Sequence, residues 1–331
     1  MRIGSADTTE RVAVIAEVGN NHEGDVGVAL ELVRAAAAAG AHAVKFQAID
    51  PPRLVRPTET ARLEQLGRFQ LTPEEFGRLH DEARSLGIGF LCTPFDLDAV
   101  AWLAPLVDAF KIASADNDFA ALIAAAADTG RPVVVSGGMT DLDGMRAARD
   151  LVQGRGAEFA ALHCVSAYPT EPEHASLATI PALAAGLGAT VGYSDHTLGI
   201  EACVLAVALG ARILEKHFTL RHDYSEFRDH QLSAEPAELA ELVRRVEEAQ
   251  TLIGAPRAGV LAAEEPVSAA ARRSIVAASD LSAGHVLRAM DLTWLRPGDG
   301  LSPGREDELL GRPLARDVVH GETLLPGDLA G

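Results

Sequence analysis

Across the first 255 residues, short β-rich runs alternate with helical segments, and this alternation does most to narrow the folds open to the chain. The runs are "VAVIAE" (12–17), "HAVKFQ" (42–47), "GIGFLCT" (87–93), "DAFKIAS" (108–114), "PVVVSG" (132–137), "EFAALHC" (158–164), "TVGYSD" (190–195) and "RILEKH" (212–217). Amphipathic or Ala/Leu-rich stretches such as 26–39, 73–86, 141–153 and 235–253 read as helices, several of them ending at a glycine suited to a C-cap. Strands that alternate with helices pair in parallel, and eight strand-helix units are the number that closes a (β/α)8 TIM barrel. A doubly wound open sheet is the competing topology, but no GxGxxG follows the first run and the unit count suits closure better.

Beyond residue 254 the alternation stops. The stretch "GAPRAGVLAAEEPVSAAARR" reads as a linker, and the residues after it read as short strands separated by Gly and Pro turns. The expected organisation is a barrel over 1–255, a linker over 256–272 and a small β-rich domain over 273–331, which at under about 60 residues gains stability by docking. A net charge of -18 argues against non-specific binding to nucleic acid or an anionic membrane surface, so an anionic substrate must be held by local cations. No apolar run approaches the roughly 18 residues that span a bilayer, and no export signal is visible, so the expected location is cytoplasmic. Cys92, Cys164 and Cys203 form no CxxC pair and read as core residues. The alanine runs carry no functional reading.

Active sites of such barrels form at the C-terminal strand ends. Here those ends carry Glu17, Lys45 and Gln47, Thr93, Lys111 and Ser114, Ser136, His163, Asp195 and His196, and finally Glu215 and His217. Residues two apart on a strand point the same way, so Lys45 pairs with Gln47 and Glu215 with His217 on the inward face, while Lys216 points toward the helices into an ordinary structural pair. A lysine inside a barrel must meet an anion, because an unpaired buried charge is costly. Any one of these residues alone reads as a satisfied core group. Two lysines, three hydroxyls and two histidines at one mouth suit a phosphate beside a metal ion, which leaves the reaction open.

The stretches "IAEVGNNHEGD", "AGAHAVKFQ", "FLCTPFD", "FKIAS", "VVVSGGM", "LHCVSAYPT", "VGYSDHT" and "LEKHFTL" together closely resemble the sialic acid synthase family, the phosphoenolpyruvate-dependent synthases of N-acetylneuraminate, legionaminate and pseudaminate. The tail "RRSIVAASDLSAGHVLRAMDLTWLRPGDGLSP" resembles that family's antifreeze-like SAF (β-clip) domain. The resemblance implies that carbon 3 of phosphoenolpyruvate attacks the aldehyde of an open-chain N-acylated hexosamine, water adds at carbon 2, and phosphate leaves by C–O cleavage. It implies further that His196 and His217 ligate a divalent ion, manganese first and magnesium or cobalt as alternatives, acting as a Lewis acid. Lys45, Thr93, Lys111, Ser114 and Ser136 should surround phosphoenolpyruvate, and Glu17 should handle the attacking water. Gln47, Phe95, Tyr168, Asp195 and Glu215 should line the sugar side, and Arg296 should reach the sugar from the small domain in a domain-swapped homodimer.

The chain departs from the family pattern on the sugar side. The segment after the second strand is short and lacks the family's sugar-contacting asparagine. Ser166 stands where an asparagine is expected and Asp116 where a glutamate is, and "RHDYSEFRDHQLS" replaces a Gly-Pro-Asp segment, with Asp229 in the aspartate's place and Arg228 in the proline's. The donor should therefore be kept, and the sugar should be read near "SEFRDH". The competing readings are a synthase of another 3-deoxy-2-keto sugar acid using a non-acylated aldose, a metal-dependent barrel aldolase, and a non-enzymatic sugar-binding or scaffold protein.

Overall fold

The structure, a computed structural model, describes residues 1–330. Two compact units are present, Met1–Gly254 and Ala255–Gly331. The first opens with two short strands, β1 (Arg2–Ile3) and β2 (Ala6–Asp7), paired as a hairpin. Eight parallel strands follow: β3 (Ala13–Gly19), β4 (Ala43–Ala48), β5 (Gly89–Pro94), β6 (Ala109–Ile112), β7 (Val133–Ser136), β8 (Phe159–Cys164), β9 (Thr190–Asp195) and β10 (Ile213–His217). They close in sequence order, with β10 pairing back onto β3 through the register Ile213 to Ala13 and His217 to Glu17. Each sequence run lands on its strand within two residues at either end, and the expected (β/α)8 barrel is the fold observed.

The helices start where local chemistry satisfies their free N–H groups. Asp25 caps Val26–Ala38 by accepting from the Gly27 and Val28 amides, and Thr72 with Glu75 forms a reciprocal capping box at Pro73–Ser85. Two apolar layers result. Outward-facing strand residues such as Val14, Val44, Phe90 and Phe110 pack against the helices, whereas Ala13, Ile15, Ala43, Leu91, Ala109, Val134, Leu162 and Ile213 fill the lower barrel interior. Ile3 and Ala6 of the hairpin join this inner cluster and close the barrel at the strands' N-terminal end. The closure depends on glycine: a β-carbon on Gly4 would lie 2.1 Å from the His42 carbonyl oxygen, and one on Gly89 would lie 2.4 Å from the Gly4 Cα. The two-residue strands were too short to show a period in the sequence.

The second unit pairs β11 (Ser274–Ala277) antiparallel with β12 (Leu292–Leu295) over a core that includes Ile275, Leu287, Leu309, Leu314 and Leu324. One expectation needs correcting here. The stretch read as a linker holds a helix, Glu265–Ala271, entered through a 3-10 turn at Ala262–Glu264; Pro266 sits in its first turn, where a missing N–H is harmless, and alanines carry it. No helix among the described residues is long and apolar enough to cross a membrane.

Candidate active site

The inward positions change character along each strand. Near the hairpin they are apolar; at the C-terminal ends they become Glu17, Lys45, Thr93, Lys111, Ser136, Ser194, Glu215 and His217. These open into a cavity of about 630 Å³, a size suited to small metabolites. Four buried charges form its floor. Lys45 Nζ lies 2.9 Å from Glu17 Oε2 and 3.7 Å from Glu215 Oε2, and Lys111 Nζ lies 3.9 Å from Glu215 Oε1 and donates to the Ile112 carbonyl at 2.9 Å. Glu17 Oε1 accepts from Gln47 Nε2 at 3.0 Å, Glu215 Oε1 accepts from Ser194 Oγ at 3.0 Å, and Lys45 donates to Thr93 Oγ1 at 3.3 Å.

Burial sets the titration of this floor. It raises the Glu17 carboxyl, and the neighbouring Glu215 charge adds to that against the pull of Lys45. It also lowers Lys111. For Lys45 burial opposes the charge, but Glu17 and Glu215 outweigh it and hold the ammonium above its ordinary value. For Glu215 burial is likewise outweighed, by Lys111 and Lys45, and the carboxyl is held low. Satisfaction is incomplete: the Oε2 atoms of Glu17 and Glu215, Ser136 Oγ and His217 Nδ1 are buried without a directed hydrogen bond among the described residues. The two buried ammonium groups and the unpartnered Ser136 hydroxyl are the donors that an anionic ligand would use here, while Glu17 Oε2 already meets Lys45 in an ion pair.

The two imidazoles stand beside it, ring centroids 5.2 Å apart, with Tyr168 packed 4.1 Å from His196. His196 Nδ1 lies 2.9 Å from the Val165 carbonyl oxygen; a carbonyl only accepts, so Nδ1 carries the proton and Nε2 is the nitrogen available to a ligand. Burial, and then the charge of His196, pushes His217 well below the usual imidazole range, so it is neutral. Burial works against charge on His196 too, but the Cys164 sulfur and the Val165 carbonyl outweigh it and raise that ring. Two imidazoles, one with an orphaned nitrogen, fit a borderline divalent ion, which would take its other ligands from substrate or water oxygens. Among the described residues no group of three His, Cys, Asp or Glu side chains could hold one unaided.

The cavity collects most of the residues singled out from the sequence: Glu17, Lys45, Gln47, Thr93, Lys111, Ser114 and Ser136 on the strand ends, with Tyr168, His196, Glu215, His217 and Asp229 completing it. Five do not line it. Phe95 packs behind the wall with Ile49, Leu66 and Phe69. Asp116 and Ser166 are half-buried, each with a buried oxygen left unpartnered, and Ser166 Oγ would lie 2.4 Å from a β-carbon on Gly138. Arg296 is exposed in the second unit.

Asp195 is the clear correction. It points to the outer face, where Oδ2 meets Lys216 Nζ at 2.8 Å, and Oδ1 accepts from the Thr197 amide at 2.8 Å and the Tyr193 hydroxyl at 3.0 Å. Both charged groups are essentially inaccessible, at 0% for Asp195 and 1% for Lys216. This pair ties β9 to β10 one residue before each imidazole, so Asp195 positions the site from behind and touches nothing in the cavity.

Some further lining residues carry no sequence signal, whereas those of the "SEFRDH" segment are expected near the sugar. Arg62, Gln65, Leu66 and Phe69 come from the short segment after β4, which folds into the helices Pro51–Leu54 and Thr60–Gly67 and still reaches the mouth. Asn20 comes from the loop after β3, and Glu226, Phe227 and Arg228 from the loop after β10.

Comparison with known proteins supplies the context for this geometry. The NeuB family model matches residues 32–258 and the SAF domain model residues 272–330. An N,N'-diacetyllegionaminic acid synthase of Legionella pneumophila is 36% identical over 94% of this chain and 93% of its own. The N-acetylneuraminate-9-phosphate synthase of Mus musculus is 33% identical over 94% of this chain and 91% of its own. Among solved structures, the N-acetylneuraminic acid synthetase of Leptospira borgpetersenii, in complex with citrate, superposes with a TM-score of 0.75 at 35% identity, covering 78% of this chain and 90% of that one.

Proposed function

The chain belongs to the NeuB family and is an enzyme of the sialic acid synthase kind, and from that premise we propose that it condenses phosphoenolpyruvate with an open-chain N-acylated hexosamine or related aldose. The observation that carries the reading is the floor of the cavity, with two buried lysines, two buried carboxylates and two imidazoles at one mouth. Lys45 and Lys111 bind the phosphate and carboxylate of phosphoenolpyruvate as point charges, aided by the hydroxyls of Thr93, Ser114 and Ser136. The unpartnered Ser136 Oγ is free to donate to a phosphate oxygen. Glu17, raised by burial and steadied by Gln47, receives the proton of the water that adds at carbon 2. Carbon 3 forms the new bond to the aldehyde carbon as water adds at carbon 2, and phosphate then leaves by C–O cleavage as the tetrahedral carbon 2 collapses to the ketone.

His196 and His217 would hold the divalent ion, manganese first, and Val165 fixes the ligating tautomer of His196. Such an ion supplies Lewis-acid polarisation of the aldehyde oxygen when bound. The homodimer, with Arg296 acting on the sugar, belongs to the same proposal and is supported by the resemblance and by the exposure of Arg296.

Phosphate release from phosphoenolpyruvate, measured with manganese and a panel of acylated and plain aldoses and followed by mass spectrometry of the product, tests the reading. The expected result is release only with an acceptor present, and a product mass equal to acceptor plus pyruvate. Turnover of a sugar without phosphoenolpyruvate would instead indicate an aldolase.

A further inference from the structure

The loop after β10 brings Glu226, Arg228 and Asp229 to the cavity mouth. None of these three side chains makes a hydrogen bond or ion pair among the described residues, so their placement follows the backbone that carries them. That backbone is fastened by Glu235, the N-cap residue of the helix Pro236–Ile253, whose Oε1 accepts from the His222 amide at 2.8 Å, and, nearer the cavity-facing residues, by the loop after β3. Asn21 Nδ2 donates to the Phe218 carbonyl at 2.8 Å and to Ser233 Oγ at 2.9 Å, which holds the two ends of the loop. Glu23 Oε1 accepts from Ser225 Oγ at 2.5 Å and from His230 Nε2 at 3.0 Å, which grips the stretch on either side of the cavity-facing residues. The strap continues inward: Thr219 Oγ1 lies 2.6 Å from the other nitrogen of His230, a ring that is 1% exposed. Ser225 Oγ also accepts from the Phe227 amide at 3.0 Å, and Phe227 packs on Phe69 of the opposite wall with ring centroids 4.8 Å apart.

Glu23 adopts φ 47°, a left-handed conformation that side-chain-bearing residues avoid. Its carboxylate reaches both partners from that position, so the backbone of this turn serves the strap. We propose that Glu23 is a positioning residue for acceptor selection: through Ser225 and His230 it sets where Glu226, Arg228 and Asp229 stand, and so which polyhydroxylated sugar the mouth accepts. The inference rests on the proposed reaction, in which the acceptor lies on this side and phosphoenolpyruvate on the floor. A displacement of about 1 Å in such a wall is enough to cost a large factor in productive binding.

Glu23→Ala, Glu23→Gln and Ser225→Ala provide the test, each read in two ways. In steady-state kinetics with phosphoenolpyruvate and the best sugar of the panel, Glu23→Ala should raise the acceptor KM by about tenfold and leave the phosphoenolpyruvate KM within about twofold. Glu23→Gln keeps an accepting oxygen and should stay within about threefold of wild type, with Ser225→Ala between the two. In hydrogen–deuterium exchange without substrates, residues 221–232 should exchange faster in Glu23→Ala and at the wild-type rate in Glu23→Gln. Equal rises in both KM values, an unchanged acceptor KM, or unchanged exchange in Glu23→Ala would overturn the proposal. A wild-type enzyme that used no phosphoenolpyruvate would remove the reaction assignment on its own, and exchange would then judge the strap separately.

Discussion

Two buried lysine-carboxylate systems lie on opposite faces of the barrel wall, meeting at the adjacent residues Glu215 and Lys216 of β10, and are finished differently. On the outer face every polar atom of the Asp195/Lys216 pair has a partner: Lys216 Nζ donates to Asp195 and to the Thr197 carbonyl, and Asp195 accepts further from the Thr197 amide and the Tyr193 hydroxyl. On the inner face Lys45, Lys111, Glu17 and Glu215 share charge at 2.9 to 3.9 Å, yet oxygens of both carboxylates remain without a directed hydrogen bond. Desolvation is paid for in both places, but only the outer pair recovers it within the protein itself. The inner system leaves Glu215 Oε2 and Ser136 Oγ without a hydrogen bond from the protein. Two residues of the same kinds thus have opposite meanings, decided by how completely their neighbours satisfy them.

Substitutions on the two faces should therefore separate activity from stability. The largest effect is expected from Glu17→Gln, which should lower phosphate release about 10²- to 10⁴-fold with the urea midpoint of unfolding little changed. A large loss of stability in that variant would break the contrast. Asp195→Ala should do the reverse by leaving Lys216 buried and uncompensated, costing about 3–5 kcal/mol in urea unfolding. Replacing both partners, as Asp195→Leu with Lys216→Met, should recover much of that loss; failure to recover would mean the pair does more than satisfy itself.

His217→Ala removes one of the two imidazoles and should weaken manganese binding by about a hundredfold in calorimetric titration, with the barrel still folded. Unchanged affinity would separate the histidines from any metal. The smallest effect belongs to Asp291 in the second unit, which like the outer pair is buried and satisfied, but pairs with the more exposed His285 and Arg288. The hydrogen bond from His285 Nε2 at 2.9 Å, helped by the Arg288 amide, holds its carboxyl below the ordinary 3.8. A depressed carboxyl stabilises the fold above its unfolded pKa, and that contribution is lost as pH falls through the folded value. Asp291→Asn should thus narrow its stability gap to wild type below about pH 4, as thermal unfolding across pH will show.

The barrel was legible because each strand writes its own signal, a short β-branched run between helix caps, and because eight units have one natural closure. The floor was legible for a related reason: alternation along β4 and β10 puts Lys45, Glu215 and His217 inward by local rule. The same rule, applied to β9, places Ser194 inward and Asp195 outward, against the sugar-side place that the family resemblance implies for Asp195. Arg62 could not be read, because the approach of its helix to the mouth is set by tertiary packing, whereas the sequence already points to the segment of Glu226 and Arg228 as the place where the sugar is read. The helix at 265–271 escaped notice because seven residues, led by Glu-Pro, show too little amphipathic period to separate from a linker.

The hairpin that plugs the barrel has a consequence for traffic. With the lower end filled by Ile3 and Ala6, a ligand reaches Lys111 and Ser136 from the C-terminal ends of the strands, the side on which Glu226 and Arg228 line the cavity. Such a vestibule imposes a queue. On the reaction proposed above, the ligand of the floor has to enter before the one that docks at the mouth, and the product held at the mouth has to leave before the floor can be refilled.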